Sequence, residues 1–303
     1  MRLFALLVLT TGALGCTKTQ SPTEQLGADL ATLLDSALAA SPGLPGAMLR
    51  VEAPSLGLVW TKAVGLAKRG GDSLRPEQTF RIASMTKTFV AAAILRLVEQ
   101  GKVALDSPIA RYILPASTVV LAKEGYDPDR ITVRMLLQHT SGIFDCATEE
   151  GPGGSQLVGG YAERIRADPS HRWTRAEQLA LATEVGSPYG EPGAVYHYSD
   201  TGYILLGEIL ETVTGLSMAQ ATRDLVGYQR LGLGNTYFET LEDVPPTAGP
   251  RLHQYMDSID ANGLDASIDL YGGGGLVVAA VWAAEAVALG FMMNRLGWGG
   301  DEQ

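Results

Sequence analysis

The sequence predicts an α+β protein in which an antiparallel sheet domain carries a helical domain. Two observations favour this class. Runs at residues 46–52 and 58–64 have the composition of strands and are joined by a turn of Pro, Ser and Gly. The middle of the chain, about residues 105–235, instead has the apolar spacing of helices separated by loops. Strands followed by a run of helices indicate a sheet domain with a helical insertion.

The first 25 residues have the pattern of an export signal followed by a tether. Arg2 precedes an apolar run at residues 3–9, and small residues lead to Cys16. This pattern predicts a signal peptide at residues 1–15, too short to span a membrane as a mature helix. Cys16 at the break predicts a lipid anchor, with residues 16–25 as a polar tether. The alternative is ordinary secretion without lipid on Cys16; in both cases we expect an exported protein of the bacterial cell envelope.

The remaining chain, residues 26–303, is expected to form one domain. Leucines recur at helical spacing over residues 25–40, and a long helix at 84–100 ends at Gly101, a common C-terminal glycine. Further helices are predicted at residues 133–139, 174–185, 201–214 and 217–227. The sheet should need more strands near the C-terminus, and no strand pattern is evident there.

Composition excludes several classes of protein. Removing the signal leaves 303 − 15 = 288 residues, enough to bury a core without a disulfide or a metal. Hydrophobic residues make up 46% and charged residues 18%, which excludes a disordered chain. A net charge of −10 without a basic cluster argues against a nucleic-acid partner. The His and Cys residues lack metal-ligand spacing, so neither a metal nor another cofactor is expected.

Ser84 and Lys87 form the only S-x-x-K sequence in the chain. On the predicted helix Lys87 lies in an apolar stripe with Val90, Ala91 and Ile94, where a lysine must be paired or lose its proton. Ser84, one turn earlier, lies where helix N–H groups favour developing negative charge. A serine beside such a base is a candidate nucleophile. The alternative is a helix cap at Ser84 and a snorkelling Lys87.

A second group of polar residues precedes the amphipathic helix predicted at 201–214. Asp200 is in a position to be its N-cap, which is a structural role. Tyr198 lies on the loop before this cap. A phenol close to a lysine ammonium is favoured as phenolate, so Tyr198 is a candidate proton relay. His139, at the end of a short helix, is expected to be a structural hydrogen-bonding residue.

Several motifs in order resemble the penicillin-recognising serine hydrolases, which include class C β-lactamases, DD-carboxypeptidases and related esterases. They are Phe80-Arg81-Ile82-Ala83-Ser84-Met85-Thr86-Lys87, Leu136-Leu137-Gln138-His139-Thr140-Ser141-Gly142, Glu191-Pro192-Gly193, Tyr198-Ser199-Asp200, and Tyr271 with the glycines at 272–275. The resemblance implies a β-lactamase/transpeptidase-like fold, with Ser84 as acylated nucleophile, Lys87 as its partner and Tyr198 as proton shuttle. Asp200 replaces the usual Asn, and its carboxylate should pair with Lys87 and hold it protonated. The role of general base should then shift from Lys87 toward Tyr198.

The C-terminal part departs from the family. Relatives carry a third box, Lys or His, then Thr, Ser or Gly, then Gly, which completes the oxyanion hole; no such box follows Gly275. Trp298-Gly299-Gly300 is similar either to a variant of that box or to a tract before it. We therefore expect a truncated or frame-shifted end, with residues 276–303 forming a helix from about Leu276 and a frayed tail. The strands at 46–52 and 58–64 should then keep an unpaired edge or an uncovered apolar face.

Two functions follow from these patterns. The first is a serine acyl hydrolase that forms a Ser84 ester with a β-lactam, a D-Ala-D-Ala peptide or a small ester. The second is a non-catalytic envelope protein that retains the fold without turnover, because losing one oxyanion donor costs about 10²–10³ in rate. The expected partners are a small-molecule or peptide substrate and, through Cys16, the membrane.

Overall fold

The computed structural model describes residues 21–145, 164, 167–168, 171, 173–239, 241–253 and 276–279. Several predictions lie outside these residues: the signal peptide, the lipid site at Cys16, Tyr271 with its glycines, and Trp298-Gly299-Gly300. Among the described residues, no helix combines the length and apolar character needed to cross a membrane.

An N-terminal helix and a hairpin form the first layer. Helix α1 (Pro22–Ala39) begins with a capping box between Ser21 and Glu24 and packs against strands β1 (Gly46–Ala53) and β2 (Leu58–Gly65). The strands pair antiparallel, and Lys62 of β2 forms an ion pair with Asp35 of α1. Both predicted strands are confirmed. Among the described residues they pair only with each other.

A second, three-stranded sheet leads into the site. Strand β3 (Thr79–Arg81), β4 (Tyr237–Phe238) and β5 (Leu276–Ala279) are ordered β3-β5-β4, with both pairs antiparallel. The predicted helix from about Leu276 is therefore wrong for residues 276–279. A short apolar run fits a buried strand as well as a helix segment, and pairing with β3 and β4 selects the strand. The remainder of the predicted helix and tail lies outside the described residues.

Six helices form the rest of the described fold. They are α2 (Thr86–Glu99), α3 (Pro115–Lys123), α4 (Val133–Leu137), α5 (Arg175–Val185), α6 (Asp200–Thr214) and α7 (Met218–Val226). The positions of α2, α4, α5, α6 and α7 confirm the predicted helices to within a few residues, whereas α3 was not predicted from the sequence. Short 3₁₀ turns occur at Pro54–Leu56, Ala83–Met85 and Ile109–Arg111.

The core lies where α2 and α6 pack together, with α4 and α7 against them. Ile94 of α2 and Leu205 and Ile209 of α6 are fully buried. Burial of such side chains contributes about 1.5–3 kcal/mol each relative to exposure. The core also contains Glu208, 1% exposed, which accepts hydrogen bonds from the Leu114 N–H and the Ser117 hydroxyl. This carboxylate ties the N-terminus of α3 to α6.

The start of α6 differs from the prediction by one residue. Ser199, not Asp200, is the N-cap, because its hydroxyl accepts the Gly202 N–H. Asp200 is the first helical residue, where a carboxylate favours the helix dipole. Because Asp200 does not cap the helix, its carboxylate is available to other residues.

Candidate active site

Ser84 lies at the junction between a strand and a helix. Strand β3 ends at Arg81, the 3₁₀ turn Ala83–Met85 follows, and α2 begins at Thr86. The Ser84 side chain is exposed at this turn, and Lys87 is in the first turn of α2. Behind Lys87 the stripe continues with Val90, Ala91 and Ile94, all buried, as the sequence predicted. The strand and the helix thus fix the serine and lysine relative to each other.

The structure brings Tyr198 to this pair from 114 residues away along the chain. Its hydroxyl is 2.6 Å from the Ser84 Oγ, and the Lys87 Nζ donates to the same Oγ over 3.2 Å. Lys87 occupies one of the two lone pairs of this oxygen, so either hydroxyl can be the donor in the bond between Ser84 and Tyr198. The three residues selected from the sequence therefore form one hydrogen-bonded group.

Asp200 forms an ion pair with Lys87, as expected from its place in the motif. The two side chains are 16% and 20% exposed, so the pair is largely shielded from water. The Lys87 Nζ also lies 4.8 Å from the Tyr198 ring centroid. Burial alone would lower the pKa of Lys87, but the charge of Asp200 and the hydrogen bonds to Asp200 and Tyr198 outweigh it. The pKa of Lys87 is therefore raised, and the ammonium persists at neutral pH.

His139 contacts the Tyr198 loop through both its backbone and its ring. Its backbone is in the left-handed region at φ 56°, and its carbonyl accepts the His197 N–H over 2.7 Å. Its Nδ1 accepts the Ser199 N–H over 3.0 Å, while its ring stacks on that of Tyr198 at 4.5 Å between centroids. This confirms the predicted structural role. Burial, and then the Lys87 charge, lower its pKa to about 4, so the imidazole is neutral at pH 7.

Two further residues that the sequence reasoning missed support this arrangement. The Tyr203 ring lies 5.5 Å from the Lys87 Nζ and 5.1 Å from the His139 ring, and its hydroxyl donates to the Leu137 carbonyl. Burial raises the pKa of Tyr203, so its hydroxyl stays protonated. Asp145 is 2% exposed and accepts the Asp200 N–H over 3.0 Å. In the sequence, Tyr203 and Asp145 are marked only by lying a few residues from the family motifs.

Backbone hydrogen bonds join the Thr140-Ser141-Gly142 segment to the loop before Tyr198. The Gly142 carbonyl accepts the Tyr189 N–H over 2.9 Å, and the Thr140 carbonyl accepts the Gly193 N–H over 2.7 Å. Gly142 has φ 74°, and a Cβ placed there would lie 2.4 Å from the Gly190 carbonyl oxygen. Only glycine fits this close approach. These two motifs thus build the loops that position Tyr198.

No group of three His, Cys, Asp or Glu residues in the described part of the chain is arranged to hold a metal ion. The described side chains at Ser84 are instead a hydroxyl, an ammonium, a phenol and a carboxylate. This set is suited to moving a proton between neighbouring oxygen atoms.

Comparison with known proteins gives consistent matches. The model of the Beta-lactamase family matches residues 35–294. Esterase EstB of Burkholderia gladioli is 35% identical over 191 residues, which cover 61% of this chain and 45% of EstB. The D-alanyl-D-alanine-carboxypeptidase/endopeptidase AmpH of Escherichia coli K12 is 28% identical over 177 residues, covering 58% of this chain and 41% of AmpH. The chain thus spans less than half the length of these two relatives.

A solved structure extends the likeness to the fold. The D-amino acid amidase from Ochrobactrum anthropi SV3, in complex with L-phenylalanine, superposes with a TM-score of 0.68 at 25% identity. The match covers 89% of this chain and 70% of the amidase. The α+β architecture expected from the sequence is therefore the one found in these hydrolases.

Proposed function

Because the chain belongs to the Beta-lactamase family, we propose that it is a serine hydrolase whose Ser84 accepts an acyl group and passes it to water. One observation carries the proposal. The Ser84 Oγ is within hydrogen-bond reach of both the Tyr198 hydroxyl and the Lys87 ammonium. A serine needs such an adjacent base to become a nucleophile. The candidate substrates are a β-lactam, a D-Ala-D-Ala peptide and a small ester.

In the acylation step Tyr198 acts as the general base. The Ser84 proton passes to the Tyr198 oxygen, 2.6 Å away, and Tyr198 passes its own hydroxyl proton to the leaving-group atom while the Oγ attacks the carbonyl carbon of the substrate. The carbonyl oxygen becomes an oxyanion, which the N-terminus of α2 stabilises through its backbone N–H groups. When the tetrahedral intermediate collapses, the protonated leaving group departs and the Ser84 ester remains.

Lys87 contributes a fixed positive charge to this sequence. Asp200 keeps it protonated, and its ammonium, 4.8 Å from the Tyr198 ring centroid, stabilises the negative charge that develops as the serine proton moves to Tyr198. Deacylation follows the same path with water in place of the leaving group. Water loses a proton to Tyr198 and attacks the ester, and the proton then returns to the Ser84 oxygen.

The test is hydrolysis of p-nitrophenyl butyrate together with labelling by a fluorescent penicillin. We expect both signals to be lost in Ser84→Ala, with the adduct mapped to Ser84 in the wild-type protein. Ser55→Ala is the matched control, because Ser55 lies in the 3₁₀ turn between β1 and β2. Hydrolysis or labelling that persists in Ser84→Ala would overturn the assignment.

A non-catalytic envelope protein is the second candidate. The sequence from Gly275 to Gln303 contains neither lysine nor histidine, so the usual form of the family's third box is not found in this stretch. Loss of an oxyanion donor lowers turnover by about 10²–10³. In the same experiment this candidate predicts stable labelling of Ser84 without steady-state hydrolysis.

We further propose that Cys16 anchors the protein to the bacterial envelope through a lipid. The charged start, short apolar run and small residues before Cys16 support this proposal. Radiolabelled palmitate should be incorporated into the wild-type protein in cells and not into Cys16→Ser. Incorporation that is equal in the two proteins would exclude this anchor.

A further inference from the structure

Two tyrosine rings lie close to the ammonium of Lys87. Its Nζ is 4.8 Å from the Tyr198 ring centroid and 5.5 Å from that of Tyr203. Both distances fall within the range of about 6 Å over which the face of an aromatic ring attracts a cation. Tyr198 takes part in the proposed proton transfer, whereas Tyr203 has no step assigned to it. The contact between Tyr203 and Lys87 therefore needs its own explanation.

The hydroxyl of Tyr203 is unsuited to act as a base. It donates to the Leu137 carbonyl over 3.2 Å, and burial raises its pKa, so the phenol keeps its proton. The hydroxyl that reaches the Ser84 Oγ is that of Tyr198, at 2.6 Å. A contribution of Tyr203 to the reaction must therefore come from its ring.

Several contacts fix the ring of Tyr203 in place. Tyr203 lies one turn after Asp200 on α6, so this helix presents both a carboxylate and a ring to Lys87. The Tyr203 hydroxyl binds the carbonyl of Leu137, the last residue of α4, and its ring lies 5.1 Å from that of His139. The side chain also packs against the hydrophobic core. The ring is therefore a rigid surface beside the ammonium.

A rigid surface matters here because a lysine side chain is flexible. Its charge sits at the end of a four-carbon stem with many rotamers. The N–H groups of Lys87 bind Asp200, the Ser84 Oγ and Tyr198. The ion pair with Asp200 balances the charge but does not by itself keep the Nζ at 3.2 Å from the Ser84 Oγ. Attraction to a fixed ring restricts the Nζ further.

We propose that Tyr203 is a positioning residue, whose ring, together with that of Tyr198, holds the Lys87 ammonium beside the Ser84 Oγ during acyl transfer. The inference rests on the proposed acyl hydrolase function. The positive charge is then in place before the serine proton moves, so that it stabilises the transition state without reorganisation. Loss of the ring should lower kcat and leave KM unchanged, because the ring acts through Lys87 rather than on the substrate.

The first measurement compares two substitutions of Tyr203 in the hydrolysis of p-nitrophenyl butyrate. Tyr203→Leu removes the ring, whereas Tyr203→Phe keeps the ring and loses only the hydroxyl. We expect kcat to fall about 5–30-fold in Tyr203→Leu and to stay within about threefold of wild type in Tyr203→Phe. Tyr112→Leu is the matched control, because Tyr112 is also a half-buried tyrosine packed against the core and its hydroxyl accepts the Ala104 N–H. In this control kcat should equal that of the wild-type protein.

Fluorinated phenylalanines at position 203 separate attraction from packing. Fluorine withdraws electrons from the face of the ring and so weakens its attraction for a cation, while the size of the ring changes little. We expect kcat to fall stepwise from phenylalanine to monofluorinated and then trifluorinated phenylalanine, at an unchanged melting temperature and KM. The same series at position 112 should leave kcat constant.

The outcomes separate this inference from the proposed function. Equal kcat values for phenylalanine and trifluorinated phenylalanine at position 203 would refute the positioning role, because the ring would then act by packing alone. A loss in Tyr203→Phe as large as that in Tyr203→Leu would assign the effect to the Leu137 hydrogen bond and refute it equally. If Tyr203→Leu does not fold, the fluorinated series, which keeps the ring, decides. Absence of Ser84-dependent hydrolysis in the wild-type protein would refute the proposed function and, with it, this role of Tyr203.

Discussion

Acidification from pH 7.5 to 5.0 should destabilise the protein through His139. Burial, and then the Lys87 charge, lower the pKa of this residue from 6.5 to about 4 in the folded protein. The unfolded chain therefore binds a proton more readily than the folded chain in this range. The stabilisation is present above pH 6.5 and is lost as the pH falls toward 4.

The size of the effect follows from the two pKa values. A shift from 6.5 to about 4 corresponds to a loss of about 2 kcal/mol in the free energy of unfolding at pH 5.0. His139 is only partly buried, and solvent screening reduces this figure to about 1 kcal/mol. The stacked Tyr198 and the Ser199 N–H bond depend on the same neutral ring. Activity should therefore fall over the same interval of pH.

The assay is urea unfolding of the wild-type protein and His139→Asn at both pH values. Asparagine tolerates φ 56° and its oxygen can accept the Ser199 N–H, but it does not titrate. We expect His139→Asn to lose about 1 kcal/mol less than the wild-type protein on acidification. His171→Asn, at a residue that pairs with Glu177 on the surface, controls for the substitution. Equal losses in the wild-type protein and His139→Asn would refute this reasoning.

Three further predictions concern single contacts. Tyr198→Phe keeps the ring stacked on His139 but removes the hydroxyl 2.6 Å from the Ser84 Oγ, so kcat should fall about 10²–10⁴-fold at an unchanged melting temperature. A kcat within about threefold of the wild-type value would contradict proton transfer through Tyr198. Gly142→Ala should lower the free energy of unfolding by about 2–4 kcal/mol in chemical denaturation, because the added Cβ would meet the Gly190 carbonyl. Gly57→Ala is the control: Gly57 has φ 63° and nothing within 4 Å, so the loss should be about 1 kcal/mol. Equal losses in the two variants would exclude the steric explanation. Glu208→Gln should lower the free energy of unfolding by about 1–3 kcal/mol, because an amide has one oxygen and cannot accept the hydrogen bonds from both Leu114 and Ser117 as the carboxylate does. A loss below about 0.5 kcal/mol, roughly the scatter of surface substitutions, would show that these two bonds do not stabilise the fold.

The serine, lysine and tyrosine could be selected from the sequence because their signals are local. Lys87 interrupts an apolar stripe whose members Val90, Ala91 and Ile94 are indeed buried, and Ser84 precedes it by one turn. Periodicity reveals such conflicts within a single helix. Periodicity did not identify the N-cap of α6 correctly, because Ser199 and Asp200 are adjacent and both residue types can cap a helix.

The contacts that the sequence could not reveal are those between distant segments. The stacking of His139 on Tyr198 joins loops about 60 residues apart, and nothing near His139 in the sequence marks its partner. Strand β5 was missed for the same reason. Its four apolar residues become a strand only through hydrogen bonds to β3 and β4, and a run this short carries no periodicity of its own.

The pairing of Thr79 with Ala279 also has a consequence for biosynthesis. About 200 residues separate the two strands. At about 5–20 residues per second, a ribosome takes roughly 10–40 s to make the segment between them. During that interval the edge of β3, three residues from Ser84, lacks the strand that completes it in the folded protein. A chaperone that shields strand edges would meet the nascent chain at the same junction where the nucleophile later resides.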